Sequence, residues 1–243
     1  MSVKLLYRGR LANQLLIYLM GQYFAEKNNL VFKENIESPE MNANFQINKI
    51  CGMWSYDSFI EIDDTNFENY LDANIHQGVY LTGQFQMPGI FRRDDVVKKY
   101  KSYIIPQKIE PIHDLFIHIR LGDISEKFGL PVSYYEQQIS KINFNKGVIA
   151  SDSPDHPTVR HLMSKYNMDF LNQSPEFTIR YGSQCKNIVL SYGSFSLMIG
   201  LLSNDSDVYF INDEMMIKKF NIFPWMGPAF EAFVGKNRWI LVD

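Results

Sequence analysis

From residue 115 onward, short runs that are apolar at nearly every position alternate with stretches of helical period. LFIHI (115–119) precedes SYYEQQISKI (133–142), and GVIAS (147–151) precedes PTVRHLMSKY (157–166). NIVLS (187–191) precedes SFSLMIGLLS (194–203), and DVYFI (207–211) follows. A strand without a polar face has no side to turn to water. Strands of that kind, spaced by helices, belong in a parallel sheet covered on both faces. The pattern therefore predicts an α/β fold for the second half of the chain.

The first half opens in the same style. VKLLY (3–7) predicts a strand, and RLANQLLIYLMGQYFAEKNN (10–29) repeats apolar residues at Leu11, Leu15 and Leu19 and at Tyr18, Phe24 and Ala25, which is helical spacing. LVF (30–32) returns to strand character, giving a β-α-β opening with a tight turn at Gly9. Further on, YLTGQF (80–85) predicts a strand and RRDDVVKKYKSYI (92–104) an amphipathic helix. PQKIEP (106–111) is polar and bracketed by prolines, so it predicts the linker between an N-terminal half, 1–107, and a C-terminal half, 108–243.

With 243 residues, 46% of them hydrophobic, the chain can bury a sizeable core without disulfides or metals. Its net charge of −3 and lack of a basic stripe give no electrostatic basis for binding nucleic acid. Cys51 and Cys185 form no CxxC pair and no Cys/His cluster, and two free buried thiols in a reducing compartment are expected. The early Lys and Arg followed by an apolar run resemble a leader. Asn13 and Gln14 interrupt that run, however, and no small-residue cleavage site follows. No stretch approaches the ~20 apolar residues of a membrane span. A cytoplasmic protein without a transmembrane segment is expected.

Ligands of open parallel sheets sit outside the carboxyl ends of the strands. Those ends carry His118 and Arg120 after the first strand, Ser151 and Asp152 after the second, and Ser191, Ser194 and Ser196 after the third. Side-chain alternation puts Phe116, His118 and Arg120 on one side of their strand. A guanidinium at such a mouth can hold phosphate oxygens bidentately. A salt bridge to Asp123 or to a neighbouring helix would account for Arg120 equally well, and Asp123 could also orient it. His118 is either a donor to a ligand or a satisfied core residue. SYGSFSLMIG (191–200) reads as a strand, a glycine turn and a helix start, which together offer free N–H groups to an anion. Ser194 could add a hydroxyl or simply cap the helix. Asp152 could accept from ribose or base groups, or cap the helix that follows it. In the first half, RGRLANQ (8–14) brings Arg10, Asn13 and Gln14 to another strand's carboxyl end, where incidental polar residues of a helix start are the simpler explanation.

Several of these stretches together resemble the fucosyltransferase superfamily, the α-1,2-fucosyltransferases especially and protein O-fucosyltransferases more distantly. GRLANQLLIYLMG is similar to that group's N-terminal GNQ segment, and YLTGQFQMPGIF to a segment ahead of its linker. HIRLGD (118–123) resembles the HxRRxD-type donor motif, ASDSPD (150–155) the Ser-Asp-Asp segment, and CKNIVLSYGSFSLMIGLL (185–202) the segment ending in Ser-Phe-Ser at a helix start. Leu121 stands at the second arginine, Ser153 at the second aspartate, and Leu197 and Met198 where a Trp pair often follows. The resemblance implies a GT-B-like fold, two Rossmann-like halves whose parallel sheets face a cleft, with acceptor on the N-terminal side and nucleotide-sugar donor on the C-terminal side. It implies an inverting transfer, without a metal or other cofactor, of a sugar such as fucose from GDP-fucose to a glycan hydroxyl. In that reading Arg120, Ser194, Phe195 and Ser196 hold the diphosphate, and His118 and Asp152 lie near the nucleoside. Asn13, with Arg10 on the same loop, faces the transferred sugar.

Other readings remain open on the sequence. Another nucleotide sugar is one, and an inactive nucleotide-sugar or glycan-binding module is a second. A metal-dependent GT-A transferase is a third, from the DSD triplet Asp205–Asp207, although that triplet precedes a strand. A carboxylate would be the usual base for the acceptor hydroxyl. Asp57, Glu61, Asp63 and Asp64 are candidates by position.

Overall fold

The computed structural model describes residues 1–32, 45–47, 58–85, 94–122, 129–203, 206–211 and 239–242. The chain divides into two compact units, Met1–Gln107 and Lys108–Asp243.

The N-terminal unit holds a four-stranded parallel sheet. Strands β1 (Ser2–Leu5), β2 (Val31–Phe32), β4 (Phe59–Ile62) and β5 (Gly78–Leu81) lie in the order β2-β1-β5-β4. A separate antiparallel ribbon pairs β3 (Phe45–Ile47) with β6 (Ile104–Pro106), so the start of the expected linker is a strand. Helix α1 (Leu11–Lys27) is apolar on every side, as a helix enclosed by protein must be. Leu15, Leu16, Ile17, Tyr18, Leu19 and Met20 are all completely buried. β1, β2 and β5 cover α1, and so does helix α3 (Asp94–Tyr103), while the short helix α2 (Phe67–Leu71) joins β4 to β5. Close approach of α1 to the sheet depends on Gly21, where a Cβ would lie 2.6 Å from the Phe32 ring and 2.7 Å from Leu5. α3 buries Val96, Tyr100 and Tyr103 and turns Lys98 and Lys99 outward.

The C-terminal unit holds a six-stranded parallel sheet. Its strands are β7 (Leu115–Ile119), β8 (Gly147–Ser151), β9 (Asp169–Phe170), β10 (Asn187–Val189), β11 (Asp207–Ile211) and β12 (Trp239–Val242). Their order is β12-β11-β10-β7-β8-β9. Every residue of β7 is buried, consistent with a central strand covered on both faces. The helices are α4 (Val132–Ile139), α5 (Pro157–Tyr166), α6 (Pro175–Gly182) and α7 (Ser194–Leu202). Among the described residues, no helix is long and apolar enough to cross a membrane. Cys185 is a buried free thiol, and Cys51 lies outside the described residues.

YLTGQF is a strand only as far as Leu81, and Thr82–Phe85 form a turn. Phe85, beyond the end of the strand, has φ 53°, a left-handed conformation.

Candidate functional site

In the C-terminal sheet the chain leaves β7 toward β8 and β9 on one side, then returns to β10 on the other. Such a reversal opens a crevice at the carboxyl ends of the two strands where it occurs. Those ends are tied together, since Ser191 N–H donates to His118 O at 3.1 Å. After β10 the chain turns at Gly193, with φ 103° and ψ 164°, a region open only to glycine. α7 starts at the next residue with Gly193 as its N-cap, so Ser194 is not the cap considered above. Gly193 offers no side-chain cap of its own, and no acidic residue lies in the first turn. The Arg120 side chain lies across the turn, with Cδ 3.5 Å from where a Cβ on Gly193 would be. A partly exposed guanidinium stem thus runs beside a helix start that carries partial positive charge.

Beneath Arg120 lies a buried polar knot. His118 Nδ1 is 2.6 Å from Ser196 Oγ and 3.3 Å from Ser191 Oγ, and the two hydroxyls are 3.2 Å apart. Arg120 N–H donates to Ser191 Oγ at 3.0 Å. The His118 ring lies against Phe195 at 4.9 Å between centroids. His118 therefore links the end of β7, the end of β10 and the first turn of α7. Ser196 is completely buried, so its hydroxyl serves this knot. Burial pushes the His118 pKa down to about 4; Asp152 opposes the shift and Arg120 adds to it.

A stability test follows from this. The unfolded chain takes up the His118 proton near pH 6.5 and the folded chain only near pH 4. Stability is therefore expected to fall as pH drops through that window, by up to ~3 kcal/mol. Urea unfolding of the wild type and of His118→Gln across pH 7 to 4 checks it. The variant should lose that share of the slope, and parallel curves would remove the buried neutral histidine.

At the neighbouring strand end, Asp152 Oδ1 accepts the N–H groups of Leu121 and Gly122 at 2.9 and 3.1 Å. A Cβ on Gly122 would sit 2.6 Å from Asp152 Oδ2. Asp152 thus shapes the chain just past Arg120. The next helix is capped by His156, which accepts from Thr158 N–H, rather than by Asp152. Asp123 lies outside the described residues.

The N-terminal sheet has its own reversal, between β1 and β5. Gly9, with φ 72°, makes the turn after β1. The Gln14 side-chain amide donates to Gly9 O at 3.1 Å, and a Cβ on Gly9 would meet the Asn13 amide at 2.3 Å. The Gln14 amide therefore holds the turn, and the Asn13 amide packs so close to it that only glycine fits. Arg10 is the N-cap residue and makes no side-chain cap, so Asn13 sits inside the first turn of α1 rather than capping it. Of the candidate bases, Asp63 Oδ1 accepts from the Thr65 backbone and hydroxyl, which hold the carboxyl below its usual range. Asp64 accepts two backbone N–H groups from the turn after β5. Glu61 accepts from the Thr82 hydroxyl, and Asp57 lies outside the described residues.

No protein-family model matches the chain, and no curated protein matches it. Solved structures do. NodZ α-1,6-fucosyltransferase soaked with GDP-fucose superposes with a TM-score of 0.54 at 10% identity, covering 83% of this chain and 92% of that one. Fucosyltransferase NodZ from Bradyrhizobium gives 0.56 at 13%, with the same coverage. A mutant of Arabidopsis thaliana FUT1 in complex with GDP gives 0.57 at 11%, covering 85% and 69%. The chain has the fold of these fucosyltransferases. It is GT-B-like, with two Rossmann-like units built on parallel sheets, as the motif resemblance implied.

The sequence resemblance grouped Arg120, Ser194, Phe195 and Ser196 on one diphosphate and set His118 near the nucleoside; in the structure His118, Ser191, Ser196, Phe195, Gly193 and Arg120 lie in one cluster. It missed Ser191 as the junction of the knot, because a serine at a strand end carries no signal of its partners. It also gave Asp64 no structural role, although an acidic pair directly after an apolar strand was visible. Among the described residues, no group of three or more His, Cys, Asp or Glu residues is placed to hold a metal ion. Asp205 of the DSD triplet lies outside the described residues, and Asp207 opens β11.

Proposed function

We propose that this protein is a glycosyltransferase that moves a sugar, fucose from GDP-fucose, to a hydroxyl of a glycan acceptor, with inversion and without a metal. The observation that carries the reading is Arg120 lying across Gly193 at the start of α7. In the transfer, the bond from the sugar's anomeric carbon to the diphosphate oxygen breaks and its electron pair stays on the diphosphate. The acceptor oxygen bonds to that carbon from the opposite face and gives its proton to a base. Negative charge thus grows on the leaving diphosphate, and fixed donors aimed there stabilise it without reorganising. Arg120 supplies the charge, and the N–H groups of Ser194 and Phe195 with the Ser194 hydroxyl supply further donors. His118 and Ser196 hold that cluster in shape, and Asp152 holds the strand end beside the nucleoside. In the N-terminal unit, Arg10 and Asn13 at the turn after β1 are the residues proposed to contact sugar. Asp64 already uses both carboxylate oxygens on backbone N–H groups and is poorly suited as the base.

Calorimetry against GDP, UDP and dTDP, followed by turnover of the matching sugar nucleotides, tests the reading. GDP is expected to bind and GDP-fucose to be consumed when a glycan acceptor is present. Binding without turnover on any acceptor would indicate a nucleotide-sugar-binding module, and no diphosphate binding would overturn the proposal. With the diphosphate charge met by Arg120 and α7, activity is expected to persist in excess EDTA. Complete loss, restored by Mn²⁺ or Mg²⁺, would favour a metal-dependent transferase.

A further inference from the structure

We propose that the cavity between the last turns of α1 and helix α3 is a second binding site, and that its ligand is a sugar phosphate held by its phosphate group at Lys98 and Lys99. The inference goes beyond the glycosyltransferase reading and does not depend on it.

The cavity has a volume of about 610 Å³, in the range of small-molecule sites. α1 lends it Tyr23, Glu26 and Lys27, and α3 lends it Lys98, Lys99 and Ser102. α1 begins after the Gly9 turn at the carboxyl end of β1 and ends just before β2, which pairs in parallel with β1. Its last turns therefore stand at the amino ends of the strands. Along the helix axis Tyr23 is roughly 18 Å from Leu11, at about 1.5 Å per residue. A molecule in the cavity is thus separate from one at the Gly9 turn.

The walls are fixed. The Tyr23 hydroxyl donates to Leu71 O at 3.2 Å, and Lys27 reaches the same carbonyl. Completely buried Tyr100 seats α3 on α1, its hydroxyl 3.6 Å from Met20 Sδ. Glu26 is the one carboxylate of the lining. Lys99 pairs with its Oε1, and the Tyr103 hydroxyl donates to its Oε2 at 2.6 Å. Lys99 and Tyr103 together hold this carboxyl below its usual range, so it stays ionised and occupied. The Lys98 ammonium, exposed one residue earlier on α3, has no carboxylate in the cavity to answer it. An anion placed there meets Lys98 and the remaining N–H groups of Lys99. Ammonium groups bind phosphate as point charges, and a phosphate monoester carries about −1.5 to −2 near neutral pH, so it is attracted more strongly than a carboxylate. The space is larger than a bare phosphate needs. Ser102 lies four residues after Lys98, on the same face of the helix. Its hydroxyl donates to Lys99 O at 2.7 Å, which leaves the oxygen to accept from a sugar hydroxyl. The aliphatic stem of Lys98 offers apolar surface to the carbon face of a sugar ring.

Amide NMR of the full chain reads the site without any turnover. Glucose 6-phosphate, glucuronate, inorganic phosphate and glucose are titrated with and without GDP. Resonances of residues 23–27 and 98–103 should move with glucose 6-phosphate, which should bind at least fivefold more tightly than glucuronate or inorganic phosphate, and they should stay in place with glucose. Lys98→Glu is expected to abolish these shifts and Lys98→Ala to weaken binding at least fivefold. Both variants should melt like the wild type and keep its GDP affinity, because the side chain is exposed and lies in the other unit from Arg120. A mannose chain ending in the same phosphate, titrated beside glucose 6-phosphate, separates the two sources of such a group. Tighter binding of the chain assigns the site to a phosphorylated glycan, equal binding to a free sugar phosphate, and either upholds the inference. Absence of shifts at these residues, shifts that survive Lys98→Glu, or glucose or inorganic phosphate binding as tightly as the ester would each overturn it. If GDP fails to bind while glucose 6-phosphate moves these resonances, the transferase reading falls and the cavity site stands. If GDP binds and the ester moves nothing here, the inference falls and the donor reading stands.

Discussion

Arg120→Ala is expected to lower transfer at least a hundredfold and to weaken GDP binding, while the protein still folds. The side chain is only partly buried and lies over the Gly193 turn, so removing it opens no core cavity. The backbone bond that ties this position to Ser191 does not involve the side chain and survives the substitution. What is lost is a fixed cation where the leaving group's charge develops, and a single preorganised donor of this kind is worth ~3 kcal/mol. Arg120→Lys keeps the charge but not the planar fork that grips two oxygens, so it should recover part of the GDP affinity and less of the rate. Calorimetry with GDP and turnover measured on the same preparations decide the matter. Unchanged GDP affinity in Arg120→Ala would detach the residue from the donor.

Gly193→Ala is expected to be nearly as damaging, by a different route. At φ 103° and ψ 164° an L side chain clashes with its own backbone, at a cost of ~1–3 kcal/mol. Crowding from outside contributes little, because the added methyl would meet Arg120 Cδ at 3.5 Å, an ordinary contact. The chain can relieve the strain only by rotating the turn, and that swings the first N–H groups of α7 away from Arg120. A tenfold or larger loss of GDP affinity is expected, together with a melting temperature lower by several degrees. An alanine variant that melts lower yet binds GDP like the wild type would show that the start of α7 takes no part in binding.

Much of the C-terminal unit was legible beforehand because its signals are local. GVIAS and DVYFI are strands over the residues read from the sequence, and so is LFIHI. A five-residue apolar run in a covered parallel sheet leaves little choice of conformation. PTVRHLMSKY is a helix over its full length, started by Pro157 and stopped by Asn167 in left-handed conformation at φ 50°. One readable signal was passed over. Ser174 followed by Pro175 and Glu176 announces helix α6, and Ser174 Oγ indeed accepts Phe177 N–H at 3.3 Å. The two-residue strand β9 carried too short a pattern to find.

The site followed other rules. Alternation along β7 put His118 and Arg120 on one side of the strand, but could not say that His118 ends buried and Arg120 partly exposed. That outcome depends on Ser191 and Ser196, which are 73 and 78 residues further along the chain. They arrive beside His118 only because β10 pairs in parallel with β7. The turn after β5 was read as strand for the same reason. Phenylalanine favours strands and shows no taste for left-handed backbone, and the carboxylate that overrules this preference comes from Asp64, 21 residues away. Periodicity and end signals are written into neighbouring residues, so the strands and helices could be read in order. Which polar groups satisfy one another when buried is set by strand order and register, and the register of a parallel pair is decided by packing across the whole sheet.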